Sequence, residues 1–118
     1  LKLENTNYSN PHGLPDKLNK STSNDLAYLC YYAMKNPYFR NIVRTSSHKC
    51  EVFNTNVRLK RNIEWQNTNK LLELEHCQGI KTGTTATAGP CMASAFTKDS
   101  FESIIVILKT SSLSNRFK

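Results

Sequence analysis

The chain has 118 residues, with 16 Lys+Arg against 9 Asp+Glu, a formal net charge of +7, and 38% hydrophobic residues. That length holds one domain and is too short for two ordinary ones. The longest apolar run, Ile104-Ile105-Val106-Ile107-Leu108, is too short to span a bilayer. No signal-peptide pattern opens the polar stretch Leu1 to Pro15, so the chain is expected to stay unexported or to follow a leader outside these residues. The compartment is left open.

Residues 1–21 carry Pro11, Gly13, Pro15 and several Asn, and read as an irregular loop with turns. Thr22 and Asp25 then form a capping-box pattern, in which the Thr hydroxyl takes the Asp25 N–H and the Asp carboxylate reaches back. Leu26, Leu29, Cys30, Ala33 and Met34 follow at helical spacing, predicting a helix of about three turns with one apolar stripe. Asn36-Pro37 ends it, because Pro disfavours helix at the residue before it. Pro37 can open a second, short helix containing Phe39, Ile42 and Val43.

From Ser46 to Trp65 the pattern turns strand-like, with Val52, Phe53, Val57, Ile63 and Trp65 set among polar residues. Leu71-Leu72 marks a helical turn or a loop anchored on the core. Gly79 to Thr84 is a short strand and Thr85 to Pro90 a small link. Cys91 to Thr97 and Phe101 to Leu108 read as two strands joined by a turn at Lys98-Asp99-Ser100. The unbroken apolar end of the last strand predicts a central strand buried on both faces. Helices first and antiparallel strands later give an α+β domain.

The basic excess is spread from Lys2 to Lys118. Its densest cluster is Arg58-Leu59-Lys60-Arg61, with Trp65 close behind. That is a weak nucleic-acid signal, and a solvated basic surface is the plainer reading. Cys30, Cys50, Cys77 and Cys91 include no C-x-x-C pair, which argues against a zinc ribbon or a thioredoxin-like site. Four free thiols is the simpler reading and two disulfides the alternative. Nothing in the motifs calls for a metal or a cofactor.

The sharpest local feature is Gly79-Ile80-Lys81-Thr82-Gly83-Thr84-Thr85. Lys-Thr-Gly alone is a short triplet, equally a basic strand end running into a flexible turn. Its context is more specific. Asn10-Pro11-His12-Gly13-Leu14-Pro15 comes first, then Ser21-Thr22 with Asp25-Leu26-Ala27, then Asn69-Lys70-Leu71-Leu72. After the Lys-Thr-Gly block come Ala88-Gly89, Ala93-Ser94-Ala95, Ile105-Val106-Ile107-Leu108 and Arg116-Phe117. In these blocks and their order the chain resembles the D-alanyl-D-alanine carboxypeptidase family of serine penicillin-binding proteins.

The resemblance implies an antiparallel sheet with flanking helices, part of a β-lactamase/transpeptidase-like domain. In that family Lys-Thr-Gly lies on the strand that walls the active site. Lys81 would place positive charge beside the nucleophile and polarise a second serine. Gly83 would leave room for a peptide against the strand edge. The Thr84 N–H would donate to the oxyanion. The Thr82 and Thr84 hydroxyls, with the Arg116 guanidinium, would hold the terminal carboxylate of a D-Ala-D-Ala-type peptide. His12 would belong to a structural loop, while His48 and His76 have no motif context.

The family also needs Ser-x-x-Lys for the nucleophile and Ser-x-Asn for a proton relay. Ser46 and Lys49 have the first spacing, but they follow a helix instead of opening one. Residues 1–118 are therefore expected to be the C-terminal part of a carboxypeptidase-like domain, inactive alone. An N-terminal half or a partner chain would cover the sheet and bring the nucleophile. The alternative is a degenerate, non-catalytic relative kept as a structural subunit of a larger assembly. Pro90 and Lys109 depart from the family pattern, standing where an aromatic and a Gly are usual.

Overall fold

The computed structural model describes residues 1–54, 56 and 58–118. Val57, which the sequence assigns to a strand, lies outside the described residues.

Helix α1 spans Ser23–Met34 and α2 spans Pro37–Arg44. The Thr22 hydroxyl caps α1 by accepting the Asp25 N–H at 3.1 Å. The other half of the box does not form. Asp25 is buried, and its carboxylate instead accepts the Asn5 N–H at 3.1 Å and the Thr6 hydroxyl at 2.7 Å. Asp is one methylene shorter than the Glu that usually closes the box, and the N-terminal segment supplies better-placed donors. The helix start thus ties down the loop before it. Asn36 caps α2 by accepting from Tyr38 and Phe39, with Pro37 in the first turn.

The apolar stripe of α1 divides as its spacing requires. Cys30 and Met34 are buried, while Tyr28, Tyr31 and Tyr32 face outward. On α2, Phe39 and Val43 pack on the core, but Ile42 is 72% exposed on the other side.

Strands β1 (Ser47–Asn54) and β2 (Leu59–Gln66) form an antiparallel hairpin that is a sheet of its own. A 3-10 turn over Lys70–Glu73 follows, capped by Asn69. Strands β3 (Cys77–Thr85), β4 (Gly89–Lys98) and β5 (Phe101–Ile107) make a three-stranded antiparallel meander. A second 3-10 turn covers Asn115–Phe117.

The expected place of the last strand is corrected. Within the described residues β4 is central and β5 lies at the edge, with Ile105 44% exposed. An apolar run reports that both faces want cover, whereas place in the sheet is set by connectivity. Tight turns join β3 to β4 and β4 to β5, so the middle strand takes the centre.

The core lies where the helices meet this sheet. Cys30, Met34, Ile80 and Ala95 form it, with Phe39, Val43, Ala93 and Ile104 packed against them. Gly79 lets α2 approach. Its φ is +96°, and a Cβ there would sit 2.3 Å from the Val43 carbonyl oxygen. A bulge falls at the same place in the β3–β4 ladder. All four cysteines are unpaired thiols. Burial pushes the Cys30 and Cys77 thiols above their ordinary pKa.

Candidate active site

Strand β3 is an edge strand with β4 on one side only. Alternation along it puts Ile80, Thr82 and Thr84 on one face and Lys81 and Gly83 on the other. The burial follows as far as Gly83: Ile80 and Thr82 are buried and Lys81 and Gly83 exposed, while Thr84, on the Thr82 face, is already exposed near the strand end. Lys81 folds its ammonium group back onto the Thr82 carbonyl oxygen. A Cβ at Gly83 would meet nothing within 4 Å, so the space beside the strand is open there.

Arg116 arrives from the far end of the chain. The path back is built by Thr110, whose N–H and hydroxyl both donate to the Pro90 carbonyl, at 3.0 and 3.3 Å. Pro90 pairs with Thr84 in the β3–β4 ladder, so the returning segment meets the site end of β3. Pro there loses one N–H, but it keeps the carbonyl that this segment uses. The Arg116 Nη1 then donates to the Gly83 carbonyl at 3.2 Å, the Thr84 hydroxyl at 3.2 Å and the Cys91 carbonyl at 3.4 Å. Phe117 lies against the guanidinium, 4.9 Å from its carbon.

Arg116 is 8% exposed, and among the described residues no acidic side chain pairs with it. Its Nε is buried without a hydrogen-bond partner. Among the described residues the Nη1 partners are all neutral oxygens, and a largely buried cation without a negative partner favours an anion nearby.

The structure brings Lys81, Thr82, Gly83, Thr84 and Arg116 to one end of β3. Thr82 is more enclosed than its sequence suggests, at 5% exposure. Its hydroxyl pairs with that of Thr68 at 2.5 Å. His12 is elsewhere, in a loop where its Nδ1 accepts the Leu14 N–H at 3.1 Å and Asn10 accepts the Gly13 N–H at 2.9 Å. Among the described residues no group of three His, Cys, Asp or Glu is placed to hold a metal ion. In the same residues no helix is long and apolar enough to cross a membrane.

Thr68 and its neighbours Asn67 and Asn69 were not singled out by any sequence motif for chemistry. The available signal was the Asn-x-Asn pattern just before Leu71-Leu72, where Asn side chains cap turns.

The family model for D-alanyl-D-alanine carboxypeptidase matches residues 1–112. This chain belongs to that family. The D-alanyl-D-alanine carboxypeptidase of Streptomyces sp. (strain K15) is 30% identical over 117 residues, which are 98% of this chain and 40% of that protein. The crystal structure of the Streptomyces K15 DD-transpeptidase superposes with a TM-score of 0.88 at 32% identity, covering 97% of this chain and 44% of that one. Penicillin-binding protein D2 from Listeria monocytogenes, in its cefotaxime-bound form, shares the fold with a TM-score of 0.77 at 23% identity, covering 95% of this chain and 43% of that one. The carboxypeptidase-family α+β fold is thus present here in a chain that spans less than half the length of these relatives.

Proposed function

We propose that residues 1–118 form the C-terminal part of a serine-type D-alanyl-D-alanine carboxypeptidase domain and supply its Lys-Thr-Gly wall. The nucleophile and the proton relay come from a segment or partner chain outside these residues. The chain alone is inactive. The observation that carries this reading is Arg116, buried at the end of β3 beside Thr84 with an unpartnered Nε.

In the proposed reaction a peptide ending in D-Ala-D-Ala lies along the open edge of β3 by strand addition, with Gly83 leaving space for it. Arg116 attracts its terminal carboxylate, and the Thr84 and Thr82 hydroxyls complete the grip. The serine oxygen attacks the carbonyl carbon of the last peptide bond. The developing negative charge on the carbonyl oxygen is met by the Thr84 N–H. The C–N bond breaks, and the terminal D-Ala leaves with a proton on its amine. Water then hydrolyses the acyl ester and frees the serine. Lys81 contributes positive charge beside the nucleophile and the relay serine throughout.

A fluorescent penicillin tests this in the full-length protein. Covalent labelling that is lost on Lys81→Ala supports the reading. Absence of labelling in the wild type sinks it and favours the alternative, a non-catalytic structural subunit.

A further inference from the structure

Thr68 lies outside every block that carries the family likeness, yet its hydroxyl sits 2.5 Å from that of Thr82. The contact is not the accident of a loose loop, because both flanking residues are pinned. Asn67 donates through its side chain to the Val43 carbonyl at 3.1 Å and the Thr45 carbonyl at 3.0 Å. Its N–H donates to the Ser46 carbonyl at 2.7 Å. Asn69, 2% exposed, donates to the Ser94 hydroxyl at 3.0 Å and accepts the Leu71 N–H at 3.1 Å. Asn67 also accepts the Asn69 N–H at 2.9 Å. Residues 67–69 are therefore strapped to α2, the foot of the hairpin, β4 and the 3-10 turn, with Thr68 at the middle of the strap. A side chain is held to useful precision only when its support is itself held.

Each hydroxyl has one hydrogen and two lone pairs. Between two hydroxyls one hydrogen is spent inside the pair and one is left over. If Thr82 is to donate to a carboxylate, its own hydrogen is the one left over, so Thr68 must donate to Thr82. That direction also polarises the Thr82 O–H, since a hydroxyl that accepts one bond donates a stronger one. It further fixes the Thr82 rotamer, two residues along β3 from the Thr84 hydroxyl that Arg116 holds.

We propose that Thr68 is a positioning residue for substrate carboxylate recognition: it orients and polarises the Thr82 hydroxyl. The inference rests on the reading of Thr82 and Arg116 as carboxylate partners. It predicts that Thr68 matters for the charged end of the peptide and not for the rest of it.

The test uses the full-length protein with an N-acylated D-Ala-D-Ala peptide and the same peptide as its C-terminal amide. Thr68→Val keeps shape and removes the hydroxyl, while Thr68→Ser keeps the hydroxyl. The valine variant is expected to lower kcat/KM for the free acid about tenfold, mainly through KM, the scale of one hydrogen bond to a charged group. Its kcat/KM for the amide stays within about twofold. The serine variant restores the free acid. Arg116→Ala serves as the control for the carboxylate reading. If Arg116→Ala loses the preference for the free acid but Thr68→Val keeps it, the positioning role is overturned and the proposed function stands. Equal losses on acid and amide for Thr68→Val reduce Thr68 to a structural residue and also overturn it. A wild-type protein that does not turn over the free acid overturns both readings.

Discussion

Lys109 shows how one backbone angle links sequence to stability. It follows β5 with a φ of +54°, in the left-handed region that favours Gly. A Cβ in that region costs about 1–2 kcal/mol, partly offset by the smaller unfolded-state entropy of a non-Gly residue. Lys109→Gly is expected to stabilise by about 0.5–1 kcal/mol, read as a shift of the urea midpoint at unchanged slope. No shift would mean that contacts of the Lys109 side chain compensate. The thiols give a second residue-scale test. Cys50 and Cys91 are half-buried, whereas Cys30 and Cys77 are buried with raised pKa. A thiol reagent at pH 8 should therefore modify Cys50 and Cys91 first, by mass spectrometry of timed digests. The pH sign follows from the same shifts. Stability lent by the neutral thiols is present below the ordinary value of 9.0 and is lost as pH rises through the raised folded values.

Among the elements, the contrast is between the β1–β2 hairpin and the β3–β4–β5 meander. The hairpin register pairs His48 with Trp65, Cys50 with Ile63, Val52 with Arg61 and Asn54 with Leu59 on one face. The other face carries the ion pairs Lys49–Glu64 at 3.4 Å and Lys60–Glu51 at 3.3 Å, both well exposed. No residue of either strand is buried. A two-stranded ribbon without a core is marginal, and exposed ion pairs add little. Amide hydrogens of β1 and β2 should exchange well before those of β3 and β4. Matching protection in both would show that the hairpin is held as firmly as the sheet. At the junction of α2 and β3, Gly79→Ala meets both a positive φ and the Val43 carbonyl. It is expected to cost about 3 kcal/mol or more, or to leave the chain unfolded, by circular dichroism melting.

At the scale of the whole molecule the surface is large for the mass. The chain exposes 9078 Å² and has a radius of gyration of 16.3 Å. A compact domain of 13.4 kDa would expose about 6,500 Å², and one of 118 residues would have a radius of about 13.5 Å. Tyr38, Ile42 and Phe101 are each at least 70% exposed. The edge of β5 offers an apolar ladder of the kind other chains pair with. Residues 1–118 alone are expected to melt broadly and to bind an apolar dye while still folded. A sharp, two-state melt with no dye binding would show that this small core suffices.

Local chemistry alone determined much of this protein. The Thr22 cap, the Pro37 start and the tight turn at Asp99 depend on neighbours in the chain, and each appears where the residues imply it. The Lys-Thr-Gly block and Arg116 were equally legible, as residue types in a fixed order. Tertiary structure decided the rest, because it depends on which distant groups meet. The Asp25 carboxylate left its own helix cap for Asn5 and Thr6 once the N-terminal loop brought donors to it. The apolar run of β5 went to the sheet edge because short turns placed β4 at the centre. Arg116 and Thr84 lie far apart in sequence, and only the fold of Thr110 onto Pro90 puts one against the other. Thr68 met Thr82 for the same reason: no periodicity records a contact made by two hydroxyls on different elements.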